Sequence, residues 1–297
     1  MELRVASYNI DCRLCDWPKH EHGPSWSARA ARERSILTEI NPDIVFLQEP
    51  LLATDPSDVL PLHRNWSILF EHGKSILPLP LFPNYDPDAT LAVDANKFTI
   101  HQSGSFWLGP HPSKPGSFDI LTLPRLATWA RLSFKANASS SSSFIAISTH
   151  FDHGDGTGKS KGPSTTNCVQ AARELSSMLN NRTSKIGQGG LPVVFGGDLN
   201  SKVSSHAYRL LLNSTELKDT WEAAANRTKV YANTTAAAAA YSYNHSIDHI
   251  MTTPQWEVLR AGSSVRVWSW KDGQKTKTAA PSDHFPVWAE LRLSGER

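Results

Sequence analysis

The sequence has no apolar run of about 18 residues, so no membrane-crossing helix is predicted. Cysteine is scarce: Cys12, Cys15 and Cys168 cannot build a disulfide framework. Cys12 and Cys15 have the spacing of a redox or half-zinc motif. No second such pair and no matching histidine pair follows, so the expectation is two ordinary thiols in a loop. An excess of charge of one sign is also missing. The 30 Lys and Arg residues against 28 Asp and Glu leave a formal charge of +2, which permits a phosphate-bearing ligand without arguing for one. The absence of a Gly-x-Ser-x-Gly elbow counts against a serine hydrolase. The absence of a Gly-x-x-x-x-Gly-Lys-Ser/Thr loop counts against an NTPase. The chain opens Met1-Glu2-Leu3-Arg4 and runs at once into a strand pattern, unlike a secretory leader. An intracellular protein is therefore expected. Asn-x-Ser/Thr sequons at Asn65, Asn137, Asn181, Asn213, Asn226, Asn233 and Asn244 pull towards a secreted one.

What is present reads as an ordinary globular chain of 297 residues, 39% hydrophobic and rich in Trp. Leu3 to Asn9 alternates as a strand. Ser25 to Ile40 has helical spacing through Ala28, Ala31, Ile36 and Ile40, closed by Asn41-Pro42. Asp43 to Glu49 is a short apolar run that reads as a buried strand. Together these three make a β-α-β unit. Strands are expected at 98–108, 127–135, 144–151, 191–195, 247–252, 257–270 and 285–293. Helices are expected at 165–180 and 204–212, the latter capped by Ser204. Ser139 to Ser143 is a low-complexity loop, and Ala223 to Asn244, with its five alanines, is a patternless excursion. No interdomain boundary is visible, so one domain over 1–297, acting as a monomer, is expected.

The chemistry-bearing residues stand at strand ends. The run Leu191-Pro192-Val193-Val194-Phe195 enters Gly196-Gly197-Asp198-Leu199-Asn200, and Ile44-Val45-Phe46-Leu47-Gln48 enters Glu49. Asn9, His150 and the Asp283-His284 pair sit at comparable places, and Asp248-His249 opens another apolar segment. Any one such acid could be a helix cap or a loop residue. Several, with amides, make a hard-oxygen cage suited to Mg²⁺ or Mn²⁺. A carboxylate such as Asp248 beside His284 would fix its tautomer and raise its pKa, ready to meet a phosphate. The pattern points to metal-assisted attack on phosphorus. The glycine-rich run Gly154 to Ser160 lacks Walker spacing and reads as a loop.

Ala6-Ser-Tyr-Asn9, Phe46-Leu-Gln-Glu49, Ser105-Phe-Trp-Leu108, Pro124-Arg-Leu-Ala-Thr-Trp129, Ser148-Thr-His-Phe-Asp-His153, Gly196-Gly-Asp-Leu-Asn200, Ser246-Ile-Asp-His-Ile250 and Ser282-Asp-His-Phe-Pro-Val287 follow one another in that order. Each piece is weak and the ordered set is specific. It resembles the endonuclease/exonuclease/phosphatase superfamily of DNase-I-like phosphoesterases over nearly the whole chain. The resemblance implies an α/β fold, a four-layer sandwich of two mostly antiparallel sheets flanked by helices. It implies Glu49 as principal metal ligand, with Asn9 and Asp283 on the metal side, and Asp198 orienting or deprotonating the attacking water. Asn200, His150 and His284 would contact the phosphate, Asp248 would orient His284, and Arg125 would touch the substrate backbone. The family's supporting Glu before Phe98 is not in register here, which leaves Tyr85, Asp86 or Asp88 as the partner of His150. The implied substrate is a phosphoester, with a nucleic-acid phosphodiester (DNA or RNA) preferred and an inositol-phosphate, lipid or other small phosphoester as the alternative. A binding module that keeps the fold without the chemistry is the reading from another class.

Overall fold

The computed structural model describes residues 1–15, 21–51, 54–70, 88–114, 124–136, 143–153, 163–181, 184–228 and 246–294, without the side chains of 163–166 and 188. The chain begins β1 (Glu2–Asn9), α1 (Trp26–Ile40), β2 (Ile44–Gln48), β3 (Trp66–Leu69), β4 (Ala89–Asp94), β5 (Phe98–Trp107), β6 (Leu126–Phe134) and β7 (Ser143–His150). It continues α2 (Pro163–Asn180), β8 (Val193–Asp198), α3 (His206–Ser214), β9 (Lys218–Asp219), α4 (Thr220–Ala223) and β10 (Asn226–Thr228). It ends β11 (Asp248–Thr252), β12 (Trp256–Ser263), β13 (Trp268–Asp272), β14 (Lys275–Ala279) and β15 (Val287–Leu293).

One sheet runs β10-β12-β15-β1-β2-β4-β3 and the other β5-β6-β7-β8-β11-β9. Both are mostly antiparallel, as expected. In the interior of each, one pair is parallel: β1 with β2 and β7 with β8. Parallel neighbours need a crossover, and α1 and α2 supply them. Phe46, Val93, Leu132, Phe144, Val194 and Leu291 fill the space between the sheets. Burial of each such side chain is worth about 1.5–3 kcal/mol. A second cluster joins Ile147 and Phe195 to Ala172 and Leu175 of α2 and Leu211 of α3. A third joins Ala6 and Val45 to Ile36 and Leu37 of α1. The layers are therefore α1, sheet, sheet, then α2 with α3, the four-layer sandwich the sequence implied.

Several expectations are corrected. Cys12 and Cys15 are not separate thiols: a tight turn, with Cys15 N donating to Cys12 O at 3.0 Å, holds their Cα atoms 4.9 Å apart and a disulfide joins them. The cap of α3 is Ser205, whose hydroxyl accepts from Tyr208 N, one residue after Ser204. The inward face of α1 carries Arg29, Ala30, Glu33, Ile36, Leu37 and Ile40, so Ala28 and Ala31 are not core positions. The strand expected at 257–270 is two strands. The chain leaves the sheet after Ser263 and starts a separate hairpin at Trp268, which pairs with β14. Part of the excursion is ordered, since Asn226–Thr228 pairs with β12. The serine-rich loop over 139–142, the glycine-rich run and residues 229–245 lie outside the described residues.

Candidate active site

Register brings the polar strand ends together. Parallel strands finish at the same edge, so Asn9 lies opposite Gln48, with Glu49 next, and His150 lies opposite Asp198. Antiparallel strands begin where their partners finish. Asp248 therefore opens β11 opposite Asp198, and Asp88 precedes Ala89, which pairs with Gln48. Asp283 and His284 precede β15, whose Val287 pairs with Ser7 of β1.

Two glycines let this edge close. A Cβ on Gly196 would lie 2.1 Å from the Phe46 ring, and one on Gly197 would lie 2.2 Å from the Thr149 carbonyl oxygen. Any side chain there would push β8 away from β2 or β7. Immediately beyond the strands, Glu49 and Asn200 hold left-handed backbone, with φ of 63° and 45°. Such conformations are uncommon outside glycine and cluster at functional sites.

Asp198 is the hub. Its Oδ1 accepts from Asn200 N at 2.7 Å, and its Oδ2 accepts from Asn9 Nδ2 at 3.2 Å. The Nε2 atoms of His150 and His284 lie 3.4 and 3.7 Å from that same Oδ2. Burial alone would raise its pKa, but His284, His150 and the Asn200 amide outweigh burial and hold the carboxyl well below the usual range.

Each imidazole has its own carboxylate behind it. His284 Nδ1 lies 2.8 Å from Asp248 Oδ2. Burial pushes His284 down, yet the charges of Asp248, Asp283 and Asp198 prevail and hold its pKa well above that of an ordinary histidine. His150 Nδ1 lies 2.9 Å from Asp88 Oδ1. This places Asp88 at the position for which the sequence offered three residues; Tyr85 and Asp86 lie outside the described residues. Arg125 NH1 forms an ion pair with Asp88 Oδ2 and sits 2.9 Å from the same His150 nitrogen. A ring nitrogen whose proton goes to Asp88 cannot also accept, so the guanidinium donates to Asp88. Asn200 Nδ2 completes the shell, 3.2 Å from His150 Nε2 and donating to Phe151 O at 3.1 Å.

Arg125 thus lies at this edge too, behind His150. It is 4% exposed and engaged from within. The remaining expected residues, Asn9, Glu49, Asp198, Asn200, His150, His284, Asp248 and Asp283, come to one edge.

The donor set fits a hard divalent cation. Asn9 Nδ2 is held by Glu49 Oε1 at 3.1 Å as well as by Asp198, which fixes the amide beside the acid. Asp11, missed in the sequence, adds a carboxylate whose oxygen lies within 4.8 Å of a Glu49 oxygen. The Asp283 side chain is half exposed, so water can complete a coordination sphere there. Asp198, Asp248 and His284 also lie within 4.8 Å of one another. There the imidazole is already engaged by Asp248, the arrangement of an oriented acid-base group.

Sequence reasoning missed other residues. Asp152 is buried and anchors the segment after His150 to α2, accepting from Asn167 Nδ2 at 2.7 Å. His249 lies behind Asp248, with Nδ1 2.8 Å from Asp219 Oδ2 and Nε2 3.2 Å from Ser201 O. On α1 the charges Arg29 and Glu33 are buried, at positions that the helical spacing did not single out.

Solved structures repeat this architecture. An endonuclease/exonuclease/phosphatase family protein from Bacteroides thetaiotaomicron superposes with a TM-score of 0.80 at 22% identity, covering 99% of each chain. A mannosyl-6-phosphatase from the same organism gives 0.79 at 23% identity, covering 98% of this chain and 100% of the other. The human Nocturnin catalytic domain, solved with a sulfate anion, gives 0.65 at 16% identity, covering 99% and 95%. No curated protein matches the chain in sequence. The model of the Endonuclease/Exonuclease/phosphatase family matches residues 6–284, nearly the whole sequence. The chain therefore belongs to that family, and it is a phosphoric ester hydrolase of DNase-I-like fold.

Proposed function

We propose that the protein hydrolyses a phosphoester by direct attack of water, with a divalent cation, Mg²⁺ or Mn²⁺, held by Glu49, Asn9 and Asp283. The observation that carries this reading is the convergence of two carboxylate-backed imidazoles on one oxygen of Asp198. When bound, the cation supplies positive charge against the phosphoryl oxygens. Asp198, kept ionised, orients the water for in-line attack. His284, kept protonated by Asp248, donates to the non-bridging oxygens, where charge grows as the new P–O bond forms, and His150, oriented by Asp88, faces them from the other side. Asn200 donates to the same group. The ester P–O bond breaks and the water's oxygen stays on phosphorus, while the proton that Asp198 takes from the water is returned to the leaving oxygen, which departs as the alcohol.

The substrate class is a separate question. The nucleic-acid phosphodiester expected from the sequence rested on the Ser105–Leu108 and Pro124–Trp129 segments, the second of which carries the Arg125 guanidinium. With that guanidinium buried on Asp88, a small phosphoester is the reading we favour, and the nucleic-acid phosphodiester is the second. The family likeness to a mannosyl-6-phosphatase supports this order. A non-catalytic module is disfavoured by the intact set of groups around Asp198. We also infer that the chain is one domain and acts as a monomer. The disulfide weighs against an intracellular location, and a mass shift on deglycosylation of protein from its native source would decide that point.

The test is a panel assay with Mg²⁺ or Mn²⁺ on sugar phosphates, inositol phosphates, sphingomyelin, a bis-aryl phosphodiester, DNA and RNA. Turnover of a phosphorylated sugar or inositol with none on DNA or RNA supports the favoured reading, and the reverse pattern overturns it. Activity on any of them that survives both EDTA and Asp198→Ala overturns the mechanism.

A further inference from the structure

An amphipathic helix should bury apolar side chains. On α1 the inward face instead carries Arg29, 1% exposed, and Glu33, 0% exposed. A buried guanidinium is costly to desolvate unless its donors are matched. Those of Arg29 are matched mainly by backbone. NH1 donates to Pro281 O at 2.8 Å and to Ile10 O at 3.3 Å. NH2 donates to Cys12 O at 2.9 Å and to Asp11 O. The carboxylates of Asp11 and Glu33 lie 3.4 and 3.5 Å from NH1, and the Trp26 ring centroid lies 5.0 Å from the guanidinium carbon.

These four carbonyls belong to two segments far apart in sequence. Ile10, Asp11 and Cys12 follow Asn9 directly. Pro281 stands two residues before Asp283. Each segment brings one of the proposed cation ligands. A second bridge lies alongside: Ser282 Oγ donates to Asn9 O at 2.8 Å and accepts from His284 N at 3.0 Å. Within one planar fork, Arg29 therefore fixes the spacing between the loop of Asn9 and the loop of Asp283. Lysine, with a single ammonium head, cannot span both.

We propose that Arg29 is a positioning residue for the cation side of the site, setting the separation of the Asn9 and Asp283 segments without touching cation or substrate. This rests on the metal-dependent reading above. It predicts that loss of the fork weakens cation binding even where the fold survives, because groups that orient ligands typically carry about 10–100-fold in metal affinity.

The experiment is a Mn²⁺ titration of the whole protein, followed by the EPR signal of free Mn²⁺, which needs no turnover. The first variant is R29M/E33L, which removes both buried charges and keeps apolar bulk, so that the helix still packs. The second is Arg29→Lys, which keeps the charge and gives up the fork. Weakening of the Mn²⁺ Kd by about 10-fold or more, in a variant whose circular dichroism matches wild type, is the expected result. A folded variant that binds Mn²⁺ as wild type does overturns the proposal. Failure of both variants to fold also overturns it, since Arg29 would then be a folding residue. A wild-type protein that binds no Mn²⁺ is a distinct result, and it defeats the metal-dependent reading itself.

Discussion

Asp88 holds His150 from behind: Oδ1 of the acid lies 2.9 Å from Nδ1 of the ring, both groups are fully buried, and Arg125 occupies the other carboxylate oxygen. The ring is thus oriented by an acid whose charge is balanced inside the protein. Nε2 is left to face Asp198 and incoming phosphate.

Asp88→Asn should therefore do two separable things. It replaces the carboxylate behind His150 by a neutral amide, a weaker acceptor without the charge, and kcat should fall by about 100-fold or more with little change in KM. It also leaves Arg125 buried without its counter-charge, at a cost of about 3 kcal/mol. The double variant D88N/R125M should regain most of the stability and none of the activity. Steady-state kinetics and urea denaturation on the two proteins check this. Recovery of both together would show that Asp88 acts only through stability.

Gly197→Ala meets the Thr149 backbone oxygen, which cannot step aside without breaking the β7–β8 ladder. We expect a loss of about 1–3 kcal/mol and a collapse of turnover, because Asp198 is the next residue. Gly196→Ala meets a side chain, the Phe46 ring. Its defect should be partly relieved by Phe46→Leu, whereas no single partner change should relieve Gly197→Ala. Melting temperatures of the three proteins distinguish these outcomes.

His249 gives the stability a pH dependence. Burial alone would lower its pKa, but the hydrogen bond and charge of Asp219, then Asp248 and Ser201 O, outweigh that and raise it. Both ring nitrogens face acceptors, which only the protonated ring satisfies. With the folded pKa above the unfolded value of about 6.5, the stabilisation is complete below about pH 6.5 and fades as pH rises through the folded pKa. His249→Asn should accordingly cost most in mildly acidic buffer and least in alkaline buffer, measured as urea midpoints across that range. A cost independent of pH would contradict the assignment.

Much of this was legible because strand ends are short-range features. The apolar runs into Glu49 and Asp198 identify themselves, parallel register brings Asn9 beside Glu49 in one sheet and His150 beside Asp198 in the other, and sheet packing joins the two pairs. Three things were not legible, for physical reasons. The choice of Asp88 over Asp86 or Tyr85 depends on where β4 starts, and that is set by pairing with β2 across a long intervening segment. Arg29 and Glu33 break the helical pattern because they serve a polar task inside, so reading α1 by periodicity placed Ile36 and Ile40 correctly and put Ala28 and Ala31 where these two charges belong. The Cys12–Cys15 bond depends on a turn that spacing alone does not specify. Arg125 was visible as a motif residue, but only its burial on Asp88 shows which way it faces.

The most direct test of the central claim is the turnover of a bis-aryl phosphodiester and an aryl phosphate monoester by wild type and Asp198→Asn, with Mn²⁺ and again after EDTA. The account predicts cation-dependent turnover by wild type on at least one of the two, abolished by EDTA, restored by added Mn²⁺, and lowered by about 1,000-fold or more in Asp198→Asn. Turnover by Asp198→Asn equal to wild type would contradict it.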